Sequence, residues 1–199
     1  PIGEPWLEDN IPAIVESWEP GSFGGQAIAE IIFGDINPSG KLPVTFPRSV
    51  GQIQMVYNHK PSQYFKKYGF EQTVPLYPFG FGLSYSKFEY SNLQCEVVDQ
   101  ENINVIFEVK NNSNIDGEEV VQLYFNDNIS SVTRPVKELV DYRRVFIKSG
   151  ETKTCVFNIP IKKLMFYDIN MIRCVEKGSF TFMVGGSSSE QDLISTDIY

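Results

Sequence analysis

The sequence predicts a mainly β protein, in which an antiparallel β-sandwich begins near Phe88 and follows a partial α/β segment. Two patterns predict this organisation. From Phe88 onward apolar and polar residues alternate with a period of two, and turn signals separate the alternating stretches. Earlier in the chain the apolar residues recur instead at helical spacing. Neither part contains a recognisable catalytic constellation.

The upstream segment, residues 1–50, begins with a stretch that is typical of a helix. Apolar residues at helical spacing predict a helix over 9–18. Asp9 or Asn10 is expected to cap its start, and Pro12 suits its first turn, where no intrahelical N–H bond is lost.

A second apolar stripe predicts a helix over 27–32 that ends at Gly34. Residues 37–40 then have the composition of a turn, and 42–46 that of a short strand. One strand without a sheet partner does not make a domain. We therefore expect this segment to be the end of a larger α/β layer structure whose earlier part precedes it.

Residues 51–87 are predicted to connect the upstream segment to the sandwich, which occupies 88–199. The connector has no clear period and is rich in aromatic residues, which need a surface to pack on. These aromatic residues are Tyr57, Tyr64, Phe65, Tyr68, Tyr77, Phe79, Phe81 and Tyr85.

The sandwich is predicted from its alternating stretches and the turn residues between them. About seven short strands in about 100 residues are typical of two packed antiparallel sheets. A short helical turn is expected over 162–166, and the stretch over 180–184 is expected to be the last strand. The clearest stretches cover 88–93, 103–109, 121–125, 139–146, 154–159 and 180–184.

Composition excludes several classes of protein. Hydrophobic residues make up 42% of the 199 residues, which is enough for a packed core. The net charge of −8, with acids and bases mixed along the chain, argues against nucleic acid or an anionic membrane as a partner. No apolar run is long enough for a membrane span, and no signal peptide is visible. Because the chain does not begin with Met, we expect a fragment or a processed product.

Cys95, Cys155 and Cys174 are far apart and lack metal-ligand spacing. They are predicted to be buried or half-buried thiols in strands, with one disulfide plus an odd thiol as the alternative. Zinc is not expected, because His59 is the only histidine and no cysteine pair lies at short spacing.

Two glycine-containing motifs suggest phosphate binding only superficially. The run Gly80–Tyr85 begins like a dinucleotide loop, but the third glycine and the following helix are missing. Ser39-Gly40-Lys41 is followed by Leu42 where a phosphate loop needs Ser or Thr. His59 could serve as a base, yet no nucleophile elbow accompanies it, so a hydrogen-bonding role is expected.

Four further polar residues lie in positions that could carry a function. Glu19 and Asp35 could line the rim of a pocket, although helix-end or solvated roles suit them better. Asn111 and Asn128 lie in Asn-x-Ser sequons, which accept glycans only in a glycosylating secretory pathway. The sequence therefore predicts no catalytic, cofactor-binding or metal-binding residue and no cofactor.

Several motifs together resemble glycoside hydrolase family 3, the β-glucosidase and β-xylosidase group. The resemblance covers essentially the whole chain, and its motifs occur in the family's order. They are Trp18-Glu19-Pro20-Gly21, Gly24-Gly25-Gln26-Ala27-Ile28-Ala29, Phe33-Gly34-Asp35-Ile36-Asn37-Pro38-Ser39-Gly40-Lys41-Leu42-Pro43-Val44-Thr45-Phe46-Pro47, Tyr57-Asn58-His59-Lys60-Pro61, Pro75-Leu76-Tyr77-Pro78-Phe79-Gly80-Phe81-Gly82-Leu83-Ser84-Tyr85, Asp116-Gly117-Glu118-Glu119-Val120-Val121-Gln122-Leu123-Tyr124, Thr133-Arg134-Pro135-Val136-Lys137-Glu138-Leu139 and Val184-Gly185-Gly186-Ser187-Ser188.

The resemblance implies three parts: a (β/α)8-type barrel, an α/β sandwich domain and a fibronectin type III-like domain. This chain would hold the tail of the second part, the connector and the third. The resemblance also implies a retaining mechanism whose Asp nucleophile and Glu acid/base lie upstream of this chain, so no catalytic residue is carried over. Glu19 departs from the usual neutral residue after Trp18.

The resemblance favours the hypothesis that the parent is an enzyme that hydrolyses terminal β-linked glucose or xylose. This chain would be its structural, C-terminal part, inactive alone. Its partners would be the missing N-terminal barrel and α/β domain and the glycoside substrate of the parent, in a periplasmic or extracellular location. A stand-alone sandwich that binds carbohydrate or protein is the alternative, and a truncated gene product without function is a third hypothesis.

Overall fold

The computed structural model describes residues 3–52, 54–61, 67–68 and 71–199 of the chain. Within them, helices lie near the N-terminus and long strands occupy the region from Phe88 onward. The helices are α1, Pro5–Asn10, and α2, Gly24–Phe33. The strands are β1, Lys67–Tyr68; β2, Glu71–Gln72; β3, Phe88–Val97; β4, Asn102–Asn111; β5, Gly117–Asp127; β6, Glu138–Ile147; β7, Thr152–Pro160; β8, Phe166–Tyr167; β9, Arg173–Cys174; β10, Phe180–Gly185; and β11, Leu193–Ile198.

Two antiparallel sheets form the sandwich. One sheet has four strands in the order β11-β10-β5-β6, and the other has three in the order β3-β4-β7. Two short pairs, β1-β2 and β8-β9, lie outside these sheets. The predicted mainly β class and the sandwich are confirmed.

The core lies between the two sheets, because alternate residues of each strand point inward. Phe107 of β4 stacks on Phe157 of β7, with ring centroids 5.7 Å apart. The free cysteine Cys155 belongs to this core, and Cys95 and Cys174 are also free, so the disulfide alternative is wrong. The core residues are Ile103, Val105, Phe107, Val109, Val121, Leu123, Phe125, Ile147, Cys155, Phe157, Ile159, Leu164, Phe180, Phe182 and Val184.

The sandwich ends one strand later than the sequence predicted. β10 is followed by a 3-10 turn over Glu190–Asp192, which Ser189 caps, and then by β11 on the edge of the sheet. The sequence does not reveal β11, because the polar Thr196 lies between Ile194 and Ile198 on the inner face and weakens the alternation. The helical turn expected over 162–166 occurs as a 3-10 turn at Ile161–Lys163.

The first predicted helix is wrong in its position. α1 begins at Pro5 and ends where the predicted helix was to begin, with Ile11 already extended at φ −109° and ψ 118°. Pro12 explains the difference, because a proline ring forces the preceding residue out of the helical region. The second helix is confirmed, since α2 ends at Gly34, which adopts the left-handed φ of 81°.

The predicted strand over 42–46 is only partly formed. Phe46 makes an isolated antiparallel bridge with Tyr77, while Leu42 exchanges backbone hydrogen bonds with Gly80 and Phe81 at the other end. Pro43 has no N–H to donate, and this leaves the ladder between the two ends incomplete. The partner missing from the upstream segment is thus supplied by the connector.

Two aromatic residues of the connector pack on the outer face of β5, while Tyr77 stacks on Phe81 and meets Phe46 edge-on. Tyr57 stacks on Phe79 with centroids 4.4 Å apart and meets Tyr124 of β5 edge-on at 5.7 Å. Tyr124 is therefore fully buried although it points away from the core. Tyr64 and Phe65 lie outside the described residues. No helix among the described residues is long and apolar enough to cross a membrane.

Candidate functional site

The most elaborate polar arrangement of the described chain joins the upstream segment to the end of the sandwich. Asn37, Ser39 and Lys41, two residues apart, all contact the sandwich or the last residues of the connector. Residues 37–40 therefore do not form the predicted turn, because these side chains bond across the junction rather than to their own backbone. We call this set of contacts the junction.

Asn37 uses its whole side-chain amide in the junction. Its Nδ2 donates to the Ser86 hydroxyl and to the Asp116 carbonyl, each at 2.9 Å. Its Oδ1 accepts from the Ser84 hydroxyl at 2.8 Å and from the Tyr85 backbone N–H at 2.9 Å. One side chain thus ties the end of the connector to the turn that precedes β5.

Lys41 and Glu119 form a buried ion pair with 3.3 Å between Nζ and Oε2, and their side chains are 13% and 5% exposed. Lys41 also donates to the Gly82 carbonyl at 3.0 Å, and the Tyr90 hydroxyl donates to Glu119 Oε1 at 2.9 Å. Burial raises the pKa of Glu119, although Lys41 and Tyr90 both pull it down. Burial and the facing carboxylate raise the pKa of Tyr90 well above its ordinary value.

A second ion pair of the junction lies in solvent. Arg144 Nη1 donates to Glu118 Oε2 at 3.0 Å and to the Ser39 hydroxyl at 2.6 Å. About half of each charged side chain is exposed, with 54% for Arg144 and 43% for Glu118. Exposed pairs of this kind add little stability, whereas removing one partner of a buried pair leaves an uncompensated charge and costs more.

Two glycines let the connector lie this close to its neighbours. A Cβ on Gly82 would come within 2.1 Å of the Gly40 carbonyl oxygen. A Cβ on Gly80, which has a φ of 78°, would come within 2.0 Å of Gln122 Oε1. Without that Cβ, the Gln122 side chain lies against Gly80. Its Nε2 donates to the Gly80 and Gly186 carbonyls, at 3.1 and 2.6 Å. The run Gly80–Tyr85 is therefore a packing element of the junction.

The structure places the other sequence candidates away from any assembled chemistry. Glu19 and Asp35 are exposed and take part in no ion pair of the described chain. His59 fixes the connector, since its carbonyl accepts from Val136 N–H at 3.0 Å. Among the described residues no three His, Cys, Asp or Glu side chains are grouped to hold a metal. The arrangement can hold segments together but offers no nucleophile with a base.

The two sequons differ in accessibility. Asn111 is fully buried, and its Nδ2 donates to the Ile115 and Ile147 carbonyls at 2.8 and 3.1 Å, so it cannot carry a glycan in the folded chain. Asn128 is exposed, with its Nδ2 donating to Ser179 and Thr181 hydroxyls. Only the second sequon is open to modification.

Sequence reasoning missed the junction residues Asn37, Lys41 and Glu119. The sequence signal for Asn37 and Lys41 was a polar residue at every second position of 37–41. This pattern is typical of an extended segment that packs one face against another part of the chain. A buried acid on the inner face of a strand, at Glu119, was a second signal, since a buried charge needs a partner.

The fold and the junction together define a class: an antiparallel β-sandwich joined by polar side-chain contacts to a helical upstream segment. Two family models match the chain, the glycosyl hydrolase family 3 C-terminal domain over residues 2–85 and the fibronectin type III-like domain over 119–188. The chain belongs to glycoside hydrolase family 3 and corresponds to its C-terminal portion.

Relatives agree with this assignment. The chain is 39% identical to a β-xylosidase of Formosa agariphila, over 97% of the chain and 28% of the relative. It is 40% identical to a periplasmic β-glucosidase of Salmonella typhimurium, over 89% of the chain and 25% of the relative. A solved β-glucosidase structure from Erythrobacter marinus matches with a TM-score of 0.90 and 41% identity, over 96% of this chain and 26% of that one. The chain spans about a quarter of the length of these relatives.

Proposed function

We propose that this chain is the C-terminal structural part of a retaining β-glycosidase that hydrolyses terminal β-linked glucose or xylose, and that it is inactive alone. The family and the names of its relatives support the class of reaction. The absence of a nucleophile–base arrangement among the described residues supports the structural role.

The observation that carries the proposal is the apolar surface of the upstream segment. Contiguous exposed apolar residues on a folded protein mark an interaction surface. Here the exposure ranges from 39% at Ile11 to 82% at Phe33. The exposed residues are Trp6, Ile11, Ile14, Val15, Trp18, Phe23, Ile32, Phe33 and Ile36. The remainder of the α/β domain would cover them, with the N-terminal barrel beyond it.

The proposed division of the chain follows from this surface. Residues 1–50 would complete the α/β domain, 51–87 would connect, and 88–199 would form the fibronectin type III-like domain. The junction would then brace the α/β domain against the sandwich, because Asn37 binds the connector and the turn before β5, and Lys41 binds the connector and Glu119 of β5. Such bracing keeps loops around a distant substrate pocket in place.

The parent is proposed to work in the periplasm or outside the cell. One relative, the Salmonella typhimurium protein, is a periplasmic β-glucosidase. Fractionation of the native source, with the parent followed by antibody, tests this location. Recovery of the parent in the cytosolic fraction would contradict it.

The alternative, a stand-alone binding module, is less well supported. Sandwich modules that bind glycans through aromatic side chains expose them, whereas Phe107, Phe157 and Phe182 are at most 2% exposed in the core. The large open apolar surface lies instead on the upstream segment.

Activity assays on the chain and on its parent test the proposal. The isolated chain should not hydrolyse aryl β-glucosides or aryl β-xylosides, while the full-length parent should. Co-expression of the chain with the upstream part of the parent should restore activity that the upstream part alone lacks. Hydrolysis by the isolated chain that disappears when one of its own acids is replaced would contradict the proposal.

A further inference from the structure

The two Asn-x-Ser sequons of the sequence lie at opposite ends of the sandwich. Asn111 is the last residue of β4 and lies beside the start of β5, at the end that carries the junction. Asn128 directly follows β5, which ends at Asp127. β5 has 11 residues, so at about 3.4 Å for each residue its two ends are about 35 Å apart. The two asparagines are therefore independent acceptors for the same modification.

The folded chain uses both polar atoms of the Asn111 side chain. Its Nδ2 donates to two backbone carbonyls, and its Oδ1 accepts from the Ser113 N–H at 3.0 Å. A glycan on Nδ2 would replace one of the donated hydrogens, and it would have no path to solvent because the residue is fully buried. A buried carbonyl would then lose its donor, and buried polar groups without partners are destabilising. Asn111 therefore has a structural role that a glycan excludes.

The third residue of this first sequon is structural as well. The Ser113 hydroxyl accepts from the Lys87 N–H at 2.7 Å, and the Ser113 carbonyl accepts from the Ser149 hydroxyl at 2.8 Å. These contacts hold the loop between β4 and β5 against its neighbours. The fold thus accounts for both the Asn and the Ser of this sequon without any glycan.

The second sequon differs because Asn128 is exposed. Its Nδ2 donates to the Ser179 and Thr181 hydroxyls at 3.2 and 3.0 Å, and both bonds lie at the surface, where water can replace them. Ile129, the middle residue of the sequon, is 67% exposed. The Ser130 hydroxyl is buried in the folded chain, so a transferase that reads the whole sequon has to act before folding. A glycan attached at that stage would extend into solvent once the chain folds.

Transfer before folding would not distinguish the two sequons, because both amides are solvated in the unfolded chain. The oligosaccharide passes to Nδ2 from a lipid-linked pyrophosphate. The bond from the sugar C1 to the phosphate oxygen breaks, a C1–N bond forms, the pyrophosphate leaves with the electron pair, and Nδ2 releases a proton. A chain modified at Asn111 could not bury that residue, and chains that stay unfolded are removed by chaperones and proteases.

We propose that a glycan on Asn128 is compatible with the fold, that a glycan on Asn111 prevents folding, and that the parent therefore matures by a route that transfers no N-glycan before folding. This route rests on the proposed function, in which the parent is exported. The two side chains themselves differ in burial and hydrogen bonding, whatever the parent does.

Secretion of the full-length parent from a eukaryotic host, which transfers N-glycans to such sequons, tests the inference. Endoglycosidase treatment leaves one N-acetylglucosamine on each modified Asn, and peptide mass spectrometry then locates it in the secreted and in the retained protein. We expect modified Asn128 in both fractions and modified Asn111 in the retained fraction alone. Ser113→Ala removes the harmful sequon and should raise the secreted fraction several-fold. Ser130→Ala is the matched control, because it removes the tolerated sequon and should leave the secreted fraction unchanged.

The same proteins made in the bacterial cytosol separate the effect of the glycan from that of packing, because no transfer occurs there. Ser113→Ala should then give no more folded protein than the unmodified parent, since it also loses the bond from Lys87. The inference is overturned by a secreted parent with a glycan on Asn111, by an unmodified Asn111 in the retained fraction, or by a glycan on Asn128 in the retained fraction alone. It is also overturned if Ser113→Ala gives no gain in the eukaryotic host or an equal gain in bacteria. Hydrolysis is not measured, so these outcomes leave the proposed function intact, whereas an inactive parent with the expected glycan pattern overturns the proposed function alone.

Discussion

The sandwich and the upstream segment differ in how far their large apolar side chains are exposed to solvent. In the sandwich Phe107 and Phe182 have no exposed surface, whereas Phe23 and Phe33 of the upstream segment are 79% and 82% exposed. The sandwich thus closes its own core, while the upstream segment leaves large apolar side chains exposed. The stability of the sandwich comes from burial, and that of the upstream segment comes largely from the junction.

The largest expected effect comes from the core of the sandwich. Phe107→Ala removes a ring that stacks on Phe157 and on Tyr90, and it should lower the free energy of unfolding by about 3–5 kcal/mol. Phe33→Ala, in the upstream segment, is the matched control and should stay within about 0.5 kcal/mol. Urea unfolding followed by far-UV circular dichroism measures both. Similar losses for the two variants would break the comparison.

The junction should give the next largest effect. Lys41→Met leaves Glu119 buried without its cation, and breaking such a pair costs about 3 kcal/mol or more. We expect the loss in residues 24–46, as faster amide hydrogen exchange and earlier proteolysis, with the sandwich strands still protected. The double variant Lys41→Met/Glu119→Leu removes both charges and should recover most of the protection. No change in either variant would show that the pair does not fasten the segment.

Much of the sandwich was predictable because its strands obey a local rule. Val105, Phe107 and Val109 alternate with polar residues, and a period of two is visible without knowing which strands pair. The turns carry their own signals, such as Gly150 with its φ of 72°. The sequence did not reveal β11, where the polar Thr196 interrupts the inward-facing row of Ile194 and Ile198.

The upstream segment and the junction were harder to predict for a physical reason. Ile14, Val15 and Trp18 lie at helical spacing, yet they are exposed and follow Pro12 in a non-helical stretch. Their apolar character suits a surface that another domain covers, and a spacing rule cannot distinguish that from an amphipathic helix. Lys41 and Glu119 are 78 positions apart, so only the folded chain reveals that they meet.

The buried pair should also make stability depend on pH. Because the pKa of Glu119 is raised from 4.5 in the folded chain, the folded state binds this proton more tightly than the unfolded state does. The stabilisation that the protonated Glu119 side chain gives the folded chain is therefore full below pH 4.5, and it is lost as the pH rises through the raised value. Glu119→Gln should flatten this part of the curve of unfolding free energy against pH. An unchanged slope in the variant would contradict the assignment.

The smallest expected effect separates the two ion pairs of the junction. Arg144→Ala removes an exposed pair with Glu118 and a bond to Ser39, and it should cost less than about 1 kcal/mol. Salt should remove part of that small loss, since exposed charges are screened, while the effect of Lys41→Met should hardly change with salt. Hydrogen exchange of residues 24–46 at low and high salt compares the two variants. Equal loosening of residues 24–46 by Arg144→Ala and by Lys41→Met would contradict this prediction. It would show that burial does not make the Lys41–Glu119 contact the stronger of the two.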